Sequence, residues 1–139
     1  MKEFSFFIAT KAVKKQTPDK NQAQALARES NERLQLAKSI NKAQKPKYVL
    51  ENAYEAIREL IDAILAGEGY KSYSHEASVA YLHNLGFSIT DIMQMDRLRK
   101  RRNGIKYYGD DAAQEEADEA LKIASDLTLK LLKKLQLKE

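Results

Sequence analysis

Cysteine and tryptophan are absent from this sequence of 139 residues, proline and histidine occur twice each, and glycine five times. Without cysteine there are no disulfide staples, thiolate zinc sites, iron–sulfur clusters or cysteine nucleophile. Two histidines, His75 and His83, leave little for a histidine-based metal site, and neither metal nor cofactor is expected. Glycine and proline are too scarce for a many-turned β sandwich or barrel. Long apolar runs are lacking too. Stretches such as Ala63-Ile64-Leu65-Ala66 fall far short of the ~20 residues that cross a bilayer. The start of the chain is rich in phenylalanine (Phe4, Phe6, Phe7), but Lys11 interrupts it and no small-residue cleavage site follows. It therefore reads as a short strand or docked arm over residues 1–16, not as a signal peptide. Together these absences predict a soluble, cytoplasmic protein with no membrane partner.

What is present suits one compact domain. With 43% hydrophobic residues the chain is no disordered tail. A chain of this length buries roughly two-thirds of its unfolded surface. The net charge of +4 conceals strong segregation. Residues 1–47 carry 11 basic and 4 acidic residues, and residues 48–96 carry 2 and 8. Residues 97–109 carry 6 basic residues and no acidic ones, and residues 110–139 carry 5 and 8. The dense basic stretch from Arg97 to Gly109 demands an explanation.

Periodicity predicts an all-α, up-and-down bundle of about four to five helices. Thr17-Pro18-Asp19 reads as a helix start, with Thr as cap and Pro at the first helical position, and the helix continues to about Lys42. Residues 42–47 read as a connection. A second helix spans about Tyr48–Ala66, with Val49, Leu50, Ala53, Ile57, Leu60, Ile61 and Ile64 on one face, and ends at Gly67-Glu68-Gly69. Ser72 or Ser74 caps a short helix from His75 to Leu85. Ser88-Ile89-Thr90-Asp91 resembles a capping box and opens a helix whose apolar residues are Ile89, Ile92, Met95 and Leu98. Asn103-Gly104 reads as a stop or turn. Asp110 or Asp111 starts a last helix, acidic early and lysine-rich late, which complements the helix dipole.

The basic run is Arg97-Leu98-Arg99-Lys100-Arg101-Arg102-Asn103-Gly104-Ile105-Lys106-Tyr107-Tyr108-Gly109. Two readings fit it. In one, guanidinium forks grip phosphate and the paired tyrosines stack on unpaired bases. In the other, it is a solvated helix end whose cations pair with the acidic start of the next helix, while Tyr107 and Tyr108 pack under that helix.

Arg102-Asn103, Gly104-Ile105-Lys106 and Tyr107-Tyr108-Gly109, followed by an acidic final helix, resemble the signature of HEPN domains (higher eukaryotes and prokaryotes nucleotide-binding). The family pattern runs Arg, a polar residue that is often Asn, three residues, His, one residue, and often Tyr. It follows the penultimate helix of a helical bundle, and the resemblance covers roughly residues 48–135. It implies a homodimer in which two copies of the motif face one cleft. Many members are metal-independent ribonucleases. Some are toxins paired with a minimal nucleotidyltransferase antitoxin, and others are inert binding or scaffold modules.

Carried over residue by residue, Arg102 matches the family's Arg and Asn103 its polar residue, and Tyr107 stands in the His position. The resemblance thus implies Arg102, Asn103 and Tyr107 as catalytic residues. Arg97, Arg99, Arg101, Arg102, Lys106 and Tyr108 are implied as nucleic-acid contacts. In the family, His handles the proton as the 2′-hydroxyl attacks phosphate, and a tyrosine, with a reference pKa of about 10, is a poor base there. Ribonuclease activity is therefore expected to be degraded or absent. The modifiable Tyr of the family falls on Gly109 here, with Tyr108 one residue earlier. The expected function is RNA or nucleotide binding by an HEPN-like homodimer, toxin-like and paired with a nucleotidyltransferase. The alternatives are a catalytically silent interaction module and an active metal-independent endoribonuclease using Tyr107, Lys106 or a distant His.

Other candidates read as structural. His75 reads as a surface first-turn residue, and its separation from His83 is too large for a chelate on one helix. Met93 and Met95 read as core filler. Gly67-x-Gly69-x-x-Ser72 follows a helix, not a strand, so a phosphate loop fails on context. The acidic residues of 110–119 lack the ligand spacing of a calcium loop.

Overall fold

The computed structural model describes residues 1–138, which hold six helices and a two-stranded antiparallel ribbon. The mostly helical class matches the periodicity; the short first helix and the second strand, with its pairing to the first, were not expected. The N-terminal segment is a helix, α1 (Phe4–Ala9), followed by a strand, β1 (Val13–Lys15). Phe4, Phe7 and Val13 are buried. They belong to the core, so the start of the chain is docked onto the rest of the fold.

The next two helices form a hairpin. α2 (Lys20–Ser39) is capped by Asp19, whose carboxylate accepts from the Gln22 N–H at 2.9 Å. Thr17 and Pro18 therefore lie outside the helix, because Asp19 supplies the cap instead. α3 (Pro46–Glu68) begins with Pro46 in its first turn, where a missing N–H costs nothing. It runs through Gly67 and ends at Gly69, which takes φ 91°. A side-chain carbon on Gly69 would meet the Gln16 carbonyl oxygen at 2.7 Å. Glycine is thus required there by both backbone angle and contact. Beyond it, β2 (Tyr70–Ser72) pairs with β1, Val13 opposite Ser72. The Phe4 ring packs 5.5 Å from that of Tyr70 and 4.6 Å from that of Tyr81.

The second half holds α4 (His75–Asn84), α5 (Ile89–Tyr108) and α6 (Gln114–Lys138). Ser74 caps α4 by accepting from Ala77 N–H, and Ser88 caps α5 by accepting from Asp91 N–H. Asn103-Gly104 does not stop α5. The helix continues one further turn to Tyr108, and Gly109 ends it at φ 70°. A helix propensity penalty of about 1 kcal/mol for one glycine is small beside the packing on either side. α6 begins at Gln114, later than Asp110 or Asp111, and Glu116 folds back to accept from the Ala113 N–H.

α3 is the hub, packed against α2, α4, α5 and α6. A helix with neighbours on every side must be apolar nearly all round, and Val49, Leu50, Ala53, Ile57, Leu60, Ile61 and Ile64 are all buried. Yet Glu55, Arg58, Glu59 and Asp62, spaced three, one and three apart, run along the same helix, and Glu55 and Glu59 are buried. Helical geometry puts these four on one stripe. Ile89 and Met93 are exposed on α5, whereas Met95 and Leu98 are buried. The core-facing stripe of α5 is therefore narrower than its apolar sequence, and Met93 is no core filler. Among the described residues no helix is long and apolar enough to cross a membrane.

Candidate functional site

The polar stripe of α3 meets α4 and α5 in one continuous network. Arg58 donates to Glu55 through Nε and Nη2, at 3.2 and 2.6 Å, and to Asp62 through Nη1 at 2.7 Å. Asp62 accepts from the Ser78 hydroxyl of α4 at 2.8 Å, which also approaches the Ser72 hydroxyl at 2.9 Å. Arg102 of α5 enters from the other end, its Nη2 3.3 Å from Glu55 Oε1. That contact is an ion pair without hydrogen-bond alignment, since Glu55 Oε1 and Arg102 Nε are both buried and make no hydrogen bond.

Tyr54 sits beside this network. Its ring lies under the Arg102 guanidinium, 5.8 Å from centroid to Cζ. On α4, His75 lies with its ring 5.8 Å from that of Tyr54 at an interplanar angle of 26°, and its Nδ1 is 3.1 Å from the Tyr54 hydroxyl. One buried tyrosine thus carries both an arginine from α5 and a histidine from α4.

The electrostatics follow from burial and pairing. Burial pushes the Tyr54 hydroxyl well above its usual range, so it keeps its proton. Burial also opposes ionisation of Glu55, but Arg58 and Arg102 outweigh it and hold the carboxyl below its ordinary value. For Asp62 burial wins, and its pKa is raised despite Arg58 and Ser78. His75 is pushed down to about 4, by burial first and then by the charges of Arg58, Arg102 and Lys106, with Glu55 opposing them. At neutral pH the imidazole is therefore uncharged. Elsewhere on α3, Glu59 is pushed up to about 6, chiefly by burial and by Glu29, despite an ion pair with Arg33 at 3.3 Å.

The basic run divides in two. Arg97 pairs with Glu119, Arg99 and Lys100 with Asp96, and Arg101 with Glu116 and Asp110. These are the pairs expected of a helix end lying against the acidic start of the next helix, with Asp96 added from α5 itself. Arg102 is only 5% exposed and lies against Glu55 and Tyr54 of the central helix, away from the open groove expected of it. The i, i+4 step to Lys106 then leads to open surface. Lys106 lies over the Tyr107 ring, and Tyr107 and Tyr108 are 64% and 82% exposed. The tyrosines do not pack under α6, because α5 overruns Gly104 and carries them past it.

Asn103 is half-buried on the turn between Arg102 and Lys106. His75, read from sequence as a surface residue, is instead the hydrogen-bond partner of Tyr54. Tyr54, Glu55 and Arg58 were missed as site residues. Their signal was legible as a row of charges, Glu55-Arg58-Glu59-Asp62, inside the most apolar helix of the chain. Among the described residues no cluster of three or more His, Asp or Glu is arranged to hold a metal ion.

No protein-family model matches the chain, and neither a curated protein nor a solved structure matches it.

Proposed function

We propose that this chain is an HEPN-like homodimeric helical protein that binds RNA or nucleotide at the C-terminal end of α5, with ribonuclease activity degraded or absent. One observation carries the reading. Arg102 is built into the core beside Tyr54 and His75, while the next turn presents Lys106, Tyr107 and Tyr108 as an exposed cation and two aromatic faces. An exposed lysine suits phosphate, and stacking a base on an aromatic ring contributes about 1–3 kcal/mol. Loss of ribonuclease chemistry is supported by Tyr107, which stands where the family has His and is exposed at the surface. With Arg102 turned inward, the groups left to line a cleft between two subunits are Asn103, Lys106 and the tyrosines. The resemblance further supports a minimal nucleotidyltransferase as the protein partner of a toxin–antitoxin pair.

The test is fluorescence anisotropy with a labelled short single-stranded RNA at several salt concentrations, alongside sedimentation of the free protein. Binding is expected to weaken with salt, and Lys106→Ala to reduce the salt slope by about 1. Tyr108→Ala is expected to weaken binding with the slope unchanged. Absence of binding at low salt, or wild-type affinity in both variants, would defeat the reading.

The catalytically silent interaction module is the second reading, and the internal pairing of Arg97, Arg99, Lys100 and Arg101 favours it. Those cations are occupied by carboxylates of the same chain. A dimer in sedimentation with no RNA binding at any salt would select this alternative.

A further inference from the structure

We infer that the junction of α3, α4 and α5 binds a phosphodiester oxygen of single-stranded RNA through the imidazole N–H of His75, acting as an uncharged hydrogen-bond donor and not as a base. The inference rests on the RNA-binding reading above and names a further residue of that site.

The Tyr54 hydroxyl is buried and keeps its proton. Its one hydrogen-bond partner among the described residues is Nδ1 of His75, at 3.1 Å. The hydroxyl proton has no other acceptor among the described residues, so the tautomer that satisfies it is the one in which Nδ1 accepts. Neutral imidazole has one N–H and one lone pair. With the Nδ1 lone pair occupied, the ring proton resides on Nε2. Among the described residues that nitrogen makes no hydrogen bond, and His75 is only half-buried. The near-parallel stack on Tyr54 holds the ring plane in place. The result is a fixed, free N–H donor.

Its surroundings favour an anion. Arg58 on α3 and Arg102 and Lys106 on α5 all act on His75 as positive charge, opposed by Glu55. The Glu55 carboxylate is itself taken up by Arg58 and Arg102. Lys106 is exposed and has no carboxylate partner among the described residues, so its charge is available to a ligand. A phosphodiester spreads one charge over two oxygens, which suits one uncharged donor beside one mobile cation. The aromatic faces that follow Lys106 would take the attached bases, which separates RNA from a simple carboxylate ligand. The same geometry argues against catalysis at His75, because the lone pair a base would need is engaged by Tyr54.

Two measurements on the full chain test this. Nitrogen-15 NMR should place the His75 proton on Nε2 throughout the neutral range. In the anisotropy assay, His75→Ala should weaken RNA binding about tenfold, while His75→Gln, which keeps an N–H donor of similar reach, should stay within about threefold of wild type. Should His75→Ala unfold the chain by stranding the Tyr54 hydroxyl, the comparison is made with His75→Glu, whose carboxylate accepts from that hydroxyl but offers no N–H donor and should weaken binding at least as much. A proton found on Nδ1, or affinity that climbs on acidification as a charging histidine would cause, overturns the inference. So does RNA cleavage by the wild type that disappears in His75→Gln. If Lys106→Ala weakens binding but His75→Ala does not, the RNA reading stands and this inference alone fails. If the wild type does not bind RNA at all, both fail.

Discussion

Arg102 Nη2 lies 3.3 Å from Glu55 Oε1, with both residues buried and the guanidinium resting against the Tyr54 ring. The motif arginine thus serves first as a counter-charge for a carboxylate on the central helix. Removing one partner of a buried pair usually costs about 3–5 kcal/mol. Arg58 continues to hold Glu55, so Arg102→Ala is expected at the low end, about 3 kcal/mol, in urea unfolding. Arg102→Met combined with Glu55→Gln should be less destabilised than Arg102→Met alone, because no uncompensated charge is left behind. A cost below about 1 kcal/mol for Arg102→Ala would show that the pair is unimportant to the fold. Loss of RNA binding in Arg102→Ala is informative only after folding has been verified.

His75 gives stability a slope at acid pH. Its folded pKa of about 4 lies below the ordinary 6.5, so the unfolded chain binds its proton first. The contribution is fully present above pH 6.5 and is lost as pH falls from there toward 4. Urea midpoints measured across that window should fall with pH, and His75→Gln should flatten the fall. An unchanged slope in His75→Gln would place the titration elsewhere.

Glu59 acts with the opposite sign. Its carboxyl is raised from 4.5 to about 6, and Oε2 is buried without a hydrogen-bond partner. Burying it protonated is favourable, so its contribution is fully present below pH 4.5 and is lost as pH rises through 6. Glu59→Gln is therefore expected to stabilise the protein at neutral pH relative to wild type, by a margin that vanishes under acid conditions. The Arg33 pair limits the gain, and equal or lower stability of Glu59→Gln at neutral pH would mean that the pair outweighs burial.

Gly69 joins the start of the chain to the end of α3. Its carbonyl accepts from Gln16 N–H at 2.9 Å, and its Cα faces the Gln16 carbonyl oxygen, where a Cβ would come within 2.7 Å. Gly69→Ala should cost about 2 kcal/mol or more, since backbone must move and a left-handed φ is strained for alanine. Hydrogen exchange should report faster opening of Val13–Lys15 and Tyr70–Ser72 than of α3. Uniform loss of protection throughout the chain would show that the ribbon and the helices open as one unit.

The helices were legible in the sequence wherever local chemistry decides. The caps at Ser74 and Ser88, the proline at the start of α3 and the apolar stripe of Val49–Ile64 need only neighbours a few residues away. The stop at Asn103-Gly104 was misread because burial on α3 overrides one weak residue, and the strand pairing of Val13 with Ser72 spans a separation that no local pattern reports. The site divides in the same way. Local spacing alone determined that four charges line one stripe of α3 and that two tyrosines follow the basic run, whereas the continuation of α5 through Gly104 is what sets Arg102 and Lys106 one turn apart on one helix. Only the tertiary structure decided that Arg102 turns inward onto Glu55, that His75 arrives from another helix to meet Tyr54, and that Arg97 and Arg101 are taken up by α6 and the residues before it. Those outcomes depend on which helices pack together and on what burial costs an unpaired charge, and neither is set by near neighbours along the chain.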